Sequence, residues 1–405
     1  MNIVIDARWI GDTPSGIGVY TRELARRLPA LSRADRFTLL FRDPASRDRE
    51  IAAMGLADAP NVEAAIFPHG VFSPLSQLLL PTWLRIRHCD VFHSPNFMIP
   101  YLAFSGSRKT SAGRCVTTIH DVIPLLLPGY APRSRKSRMM ALLRACMRLT
   151  IRKSTAVLTV SDTARRDIAR VFSLAPSSAA KIHPIYNGIS STARPDCIPI
   201  PHSAFRIPHS PIVLYVGRLD PYKQVPELVR AFASAIRHSS SSAKLFIVGP
   251  DDPRYPEARE MAASLDIEDR VMFLGFVPDS QLDALYREAT IVVNPSRYEG
   301  FGLPILEAMA HGAPVICGDG GAQPEIAGDA ARIVPSGDGQ ALADAISELL
   351  ADPALRRTLS ERGLARAASF TWDRAARETL AAYRVVGRKG SVFHSFNRAQ
   401  GRKKP

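Results

Sequence analysis

No stretch of this 405-residue chain approaches the roughly 18 consecutive apolar residues of a membrane span, so no transmembrane helix is expected. The N-terminus, MNIVIDARWIGD, has no basic region ahead of its apolar run, and that run is only a strand's length, which argues against a signal peptide. Cysteine is scarce. The five present (Cys89, Cys115, Cys146, Cys197, Cys317) are scattered, odd in number and without a CxxC pair. That excludes a disulfide framework and a structural zinc site, and fits inert buried thiols in a reduced, cytosolic protein. No internal repeat of about 20–50 residues is visible, which excludes a solenoid or propeller.

What is present is an ordinary globular composition, 46% hydrophobic and 22% charged, with one unusual number: 52 Lys and Arg against 38 Asp and Glu, a net charge of +14. The excess admits a nucleic-acid surface, an anionic membrane or an anionic small substrate as partner. No zinc-finger spacing, aromatic RNA-binding signature or zipper basic region accompanies it, so nucleic acid is not expected. Short apolar runs at residues 2–6, 37–41, 115–119, 156–160, 212–216, 244–248, 270–274 and 291–294 alternate with amphipathic stretches such as 19–31 and 225–238. Strands alternating with helices predict an α/β protein with parallel sheets covered on both faces. The proline-dense, aperiodic residues 189–211 read as a linker between domains at 1–188 and 212–370. Residues 371–386 read as a final helix packing back on the N-terminal domain, and 387–405 as a disordered basic tail.

In parallel-sheet domains the functional loops follow the C-terminal ends of the strands. The densest such region is residues 294–316, NPSRYEGFGLPILEAMAHGAPVI. A strand ends at Asn294, a glycine-containing loop follows, and proline near the first turn places a helix start at Leu303 or Pro304. The free amides and positive dipole end of that turn attract an anion such as a diphosphate. Glu299 in the loop and Glu307 in the helix accept hydrogen bonds from hydroxyls; the plainer alternatives are a solvated glutamate and one favoured by the helix dipole. At residues 217–224, GRLDPYKQ, Arg218 and Lys223 follow a strand on a glycine turn, suited to clamping a diphosphate unless they are ordinary surface cations. At residues 120–124, HDVIP, His120 ends a strand as a site residue or a satisfied structural histidine, and Asp121 follows it. In residues 14–24, PSGIGVYTREL, Gly16 and Gly18 match a dinucleotide GxGxxG, but Thr21 fills the third position, which disfavours a nicotinamide enzyme. Those two glycines either let a diphosphate or acceptor approach the backbone or form a turn ahead of the helix. Weaker candidates are Arg165 behind a Ser161 N-cap, the HSPNF segment at residues 93–97 as an acceptor contact, and Glu325 in GGAQPEI as a loop support.

These motifs, from about residue 3 to 385, resemble the retaining glycosyltransferases of family 4. The resemblance implies the GT-B fold, two Rossmann-like domains facing across a cleft. It also implies donor-sugar contact by Glu299 and ribose contact by Glu307, with Phe301, Gly302 and Leu303 near sugar and diphosphate and His120 beside the donor sugar. Gln224 stands where the family commonly has glycine. The implied partners are a nucleotide-sugar donor and a glycan or lipid-linked acceptor; similarity to bacterial mannosyl- and rhamnosyl-transferases favours a GDP-hexose over UDP-glucose. The nearer rivals are other GT-B-like enzymes, such as a nucleotide-sugar epimerase or a glycogen-synthase-type polymerase. No DxD-like pair is suitably placed, so no metal and no cofactor is expected. Finally, residues 133–153 carry eight basic and no acidic residues, and 384–405 seven and none. Those two segments account for the whole excess. The first, with Arg144, Arg148 and Arg152 four apart, reads as an amphipathic helix on an anionic membrane or as a surface helix docked on the core. This predicts a protein peripheral to the inner face of the cytoplasmic membrane.

Overall fold

The computed structural model describes residues 1–11, 15–104, 113–127, 129–133, 139–189, 210–237 and 242–387. The expected linker lies almost wholly outside these residues, as do Cys197, the tail from residue 388, and Arg135, Lys136 and Arg138 of the basic stretch.

The chain divides into two compact units. The first holds seven parallel strands, β1 (Asn2–Ile5), β2 (Arg36–Phe41), β3 (Val62–Ile66), β4 (Val91–Ser94), β5 (Arg114–Thr118), β6 (Ala156–Thr159) and β7 (Ile182–Pro184). They are ordered β3-β2-β1-β4-β5-β6-β7. The second holds β8 (Ile212–Val216), β9 (Lys244–Val248), β10 (Val271–Gly275), β11 (Ile291–Asn294), β12 (Val315–Gly318) and β13 (Ala331–Val334), ordered β10-β9-β8-β11-β12-β13. Both sheets start at a central strand, run outward, then reverse. The reversal between β1 and β4, and between β8 and β11, is the switch point at which doubly wound sheets bind ligands.

The strands are short apolar runs because helices cover both faces, so no residue of the run is spared burial. In β8, Ile212, Val213, Leu214 and Tyr215 are all buried. The thiols of Cys115 and Cys317 lie within the sheets, where burial pushes each up to about 12.

Helix Trp372–Gly387 belongs to the first unit, as its apolar stripe requires. Trp372, Tyr383 and Val386 join that unit's core, and Arg27 Nε lies 2.7 Å from Asp373 Oδ1. Only glycine fits at Gly188, since an added Cβ would meet the Trp372 amide nitrogen at 1.9 Å. One assignment changes: the described residues of 123–138, grouped by sequence with the first domain, cluster with the second. There Tyr130 stacks on Tyr222 (5.0 Å) and Arg133 pairs with Glu257 at 2.8 Å.

Candidate active site

The second unit brings the strongest motifs together at its switch point, on the loops after β8 and β11. Behind β8 the backbone is tightly stacked. Gly249 follows β9, and a Cβ there would sit 1.8 Å from the Gly217 carbonyl oxygen. Buried Tyr215 donates its hydroxyl to the Arg218 carbonyl (2.6 Å), and desolvation holds that phenol well above its ordinary pKa. The Arg218 side chain stands out from this base, 61% exposed, with Nε 2.7 Å from buried Asp220 Oδ2. A single turn, Pro221–Lys223, then aims Lys223 inward and closes at Gln224, which adopts φ +56°, ψ 37°. That left-handed conformation explains why glycine suits this place in the family.

Lys223 is not a free cation beside Arg218. Its Nζ lies 2.6 Å from Glu299 Oε1, and both side chains are largely buried. The Ser296 hydroxyl, 2.7 Å from the same carboxylate oxygen, is also 2.8 Å from Asn294 Oδ1. The Arg297 N–H donates to the Tyr222 carbonyl (2.8 Å), locking the two loops to each other. A third loop, after β12, pins the second. Gln323, fully buried, donates through Nε2 to the Ser296 and Gly320 carbonyls at 2.8 and 3.0 Å. Gly321, at φ +70°, lies so close that a Cβ would meet the Glu299 carbonyl oxygen at 2.3 Å. Ser296 and Gln323 were missed by sequence reading; the only signal was their position within the same strand-end loops.

The helix expected near Leu303 is Leu303–Ala310. Phe301 anchors its entry against Phe370, ring centroids 6.1 Å apart, and Gly302 at φ +97° opens the turn without a side-chain cap. Glu307 is half-buried one turn in, accepting the Tyr286 hydroxyl at 2.9 Å, and desolvation raises its pKa. His311 stacks on Tyr286 (5.4 Å), lies 3.2 Å from Asp283 Oδ1, and donates from Nδ1 to the Glu307 carbonyl. Tyr286 and His311 were also unforeseen. Glu325 sits in the five-residue helix Gln323–Ala327, where the carbonyls of Glu325 and Ile326 accept from Arg366 at 2.7 and 2.8 Å. Its backbone is held, in keeping with a support for the loop.

In the first unit, His120 follows β5, and its Nε2 lies 2.9 Å from the Pro95 carbonyl. A carbonyl only accepts, so Nε2 carries the proton and Nδ1 keeps a lone pair. Burial lowers the His120 pKa to about 4, so the ring is neutral near pH 7. Tyr20 meets it edge-on at 4.9 Å, and Asp121 follows half-buried. Gly16 and Gly18 are not in a loop. They lie in the first turn of helix Gly16–Leu31, which starts earlier than its apolar period because Ser15 Oγ caps the Gly18 N–H at 3.1 Å. Ser161 caps helix Asp162–Val171 as expected, and Arg165 in that helix pairs with Asp162 at 2.7 Å. Of the HSPNF segment, His93 lies in β4. It is fully buried, with Nδ1 2.5 Å from Tyr383 Oη and Nε2 2.9 Å from Thr118 Oγ1. It fastens the last helix to the sheet.

Residues 14–193 match the model described as Glycosyltransferase Family 4, and residues 202–366 the model described as Glycosyl transferases group 1. The chain is similar to the O-antigen chain mannosyltransferase B of Escherichia coli, 29% identical over 399 residues, covering 95% of this chain and 100% of that protein. It is also similar to a D-inositol 3-phosphate glycosyltransferase of Frankia alni, 28% identical over 395 residues, covering 91% and 94%. Among solved structures it resembles Anabaena Alr3699/HepE in complex with UDP and glucose, with TM-score 0.71 and 21% identity over 94% of this chain and 100% of that one. Sucrose-phosphate synthase from Thermosynechococcus elongatus gives TM-score 0.68 and 23% identity over 95% and 98%.

Proposed function

The chain belongs to the glycosyltransferases, a family 4 domain followed by a group 1 domain on the GT-B fold, and on that premise we propose that it transfers a hexose with retention. The donor in this reading is a GDP-sugar, mannose or a related deoxyhexose, and the acceptor a glycan or lipid-linked oligosaccharide of a cell-surface polysaccharide. Support for the sugar comes from the full-length similarity to an O-antigen mannosyltransferase. The observation that carries the chemistry is the Lys223–Glu299 pair at the switch point, braced by Ser296 and Gln323.

Transfer breaks the bond between the anomeric carbon and the β-phosphate oxygen, and the electron pair leaves with the nucleoside diphosphate. Negative charge grows on that phosphate. Exposed Arg218 and the uncapped start of helix Leu303–Ala310 offer it positive charge without a mobile counter-ion. Glu299, held beside Lys223, accepts hydrogen bonds from donor hydroxyls and favours positive character on the ring. The acceptor hydroxyl attacks from the face the phosphate leaves, and its proton passes to the departing phosphate oxygen. Glu307, half-buried in the helix, is suited to a ribose hydroxyl. In the first unit, neutral His120 presents Nδ1 as an acceptor, and Gly16, exposed with open space around it, lets a ligand approach the backbone at the start of its helix.

A panel of GDP- and UDP-sugars, read by release of nucleoside diphosphate, tests the donor. Release from GDP-mannose or a GDP-deoxyhexose with no UDP-sugar turned over is expected. Turnover confined to UDP-sugars would overturn the GDP assignment, and interconversion of the donor without transfer would make the enzyme an epimerase.

A further inference from the structure

Twelve large hydrophobic side chains stand exposed among the described residues, and eight of them fall between residues 72 and 142 of the first unit. Such clustering departs from the scattered exposure normal for soluble proteins. Its centre is helix Pro74–Ile86. Leu75, Leu78, Leu79 and Ile86, at three-, four- and eleven-residue spacing, share one stripe and are 49%, 59%, 47% and 72% exposed. The opposite stripe, with Leu80 and Leu84, is buried and supplies the helix's hold on the core. The fold therefore uses only half of this helix's apolar surface.

The surface continues onto neighbouring elements. Gln77 donates to the Ile99 carbonyl (3.0 Å) and accepts the Tyr101 N–H (2.9 Å), tying the segment bearing Leu102 to this helix. Lys153 Nζ donates to the Tyr101 and Phe104 carbonyls at 2.9 and 3.1 Å, tying the same segment to helix Met140–Lys153. Leu102 is 60% exposed and Leu142, on the second helix, 53%. That helix buries Met147 and Ile151 and turns Arg144, Arg148 and Arg152 outward. Helices Pro74–Ile86 and Met140–Lys153, with the Ile99–Phe104 segment between them, carry Arg85, Arg144, Arg148, Arg152 and Lys153 and no acidic residue.

We propose that this face docks on an anionic lipid bilayer. The leucine stripe of helix Pro74–Ile86 enters the boundary between headgroups and acyl chains, and the arginines of helix Met140–Lys153 meet lipid phosphates. A second copy of the chain is a poor match, because two such faces bring like charges together. A nucleic acid would satisfy the arginines and leave the leucines in water. Docking stands independently of the transferase reading, although a lipid-linked acceptor gives it a purpose.

The test is flotation of the full chain with vesicles of phosphatidylcholine alone or with about 30 mol% phosphatidylglycerol. Wild type is expected to float with the anionic vesicles and not with the neutral ones. Leu78→Glu/Leu79→Glu, with both positions exposed, is expected to keep its Tm and lose flotation about tenfold or more. Trp83 lies on the same helix, so its fluorescence should be quenched by brominated anionic lipid in wild type and not in the variant. No flotation, flotation unchanged in the double variant, or a lipid-free dimer that the same variant abolishes would each overturn the proposal. Release of nucleoside diphosphate without vesicles, followed in parallel, separates failed docking from failed transfer.

Discussion

Lys223 and Glu299, 76 positions apart in sequence, form one ion pair, Nζ to Oε1 2.6 Å, with both side chains largely shielded from water. Two residues with separate motif roles thus depend on each other. Removing one member of such a pair leaves the other charge uncompensated, at a cost of about 3–5 kcal/mol when burial is complete.

Ser296→Ala tests how Glu299 is held without removing either charge. It deletes a hydrogen bond to a charged group, a loss of about 1.5–3 kcal/mol. If that loss falls on the transition state, kcat for sugar transfer drops by about tenfold to a hundredfold. The donor KM should change less, because Arg218 and the helix start are untouched. Steady-state kinetics with the preferred donor checks this, and wild-type kcat would remove Ser296 from the machinery. Glu299→Ala should lose transfer while remaining folded.

Gln224 has a left-handed backbone, which costs a residue with a Cβ about 1–2 kcal/mol. Gln224→Gly and Gln224→Ala both lose the side chain, but only glycine relieves the backbone. The glycine variant should be the more stable of the two by about 1 kcal/mol in urea unfolding. Equal stabilities would show that the turn carries no strain.

The two histidines set an acid limit. Burial lowers His93 to about 3 and His120 to about 4, below the ordinary 6.5 of an unfolded chain. Between those values the unfolded state binds more protons, so their contribution is complete above about pH 6.5 and fades as pH falls towards 4. Each proton contributes a slope of about 1.4 kcal/mol per pH unit. Glu307, raised by desolvation, acts oppositely and favours the fold as pH falls. The histidine effect is therefore read by difference. His93→Asn should lose stability more shallowly than wild type between pH 6.5 and 4.5, and parallel curves would contradict it.

Transfer is expected to proceed at its full rate in excess EDTA, because Arg218 and the helix start supply the positive charge for the leaving group. Complete loss of turnover in EDTA, restored by a divalent cation, would sink that expectation.

Much of the architecture was readable from pattern alone. Runs such as residues 212–216 and 244–248 appeared as strands because burial on both faces leaves no polar alternation to disguise them. The loops after β8 and β11 were readable as site loops because glycine, proline and charge concentrate there. Side-chain partners were not readable. Nothing local to Lys223 names Glu299, nothing local to Gln323 names Ser296, and nothing local to His93 names Tyr383.

The sequence by itself determined the α/β alternation, the family motifs and the charge excess, because these follow from local periodicity and composition. Tertiary structure decided which charges are paired, which amides and carbonyls hold the loops, and which leucines of helix Pro74–Ile86 meet the core. Leucine carries the same information in sequence whether it is buried or exposed. Only the packing of Leu80 and Leu84 beneath that helix leaves Leu75, Leu78, Leu79 and Ile86 facing water.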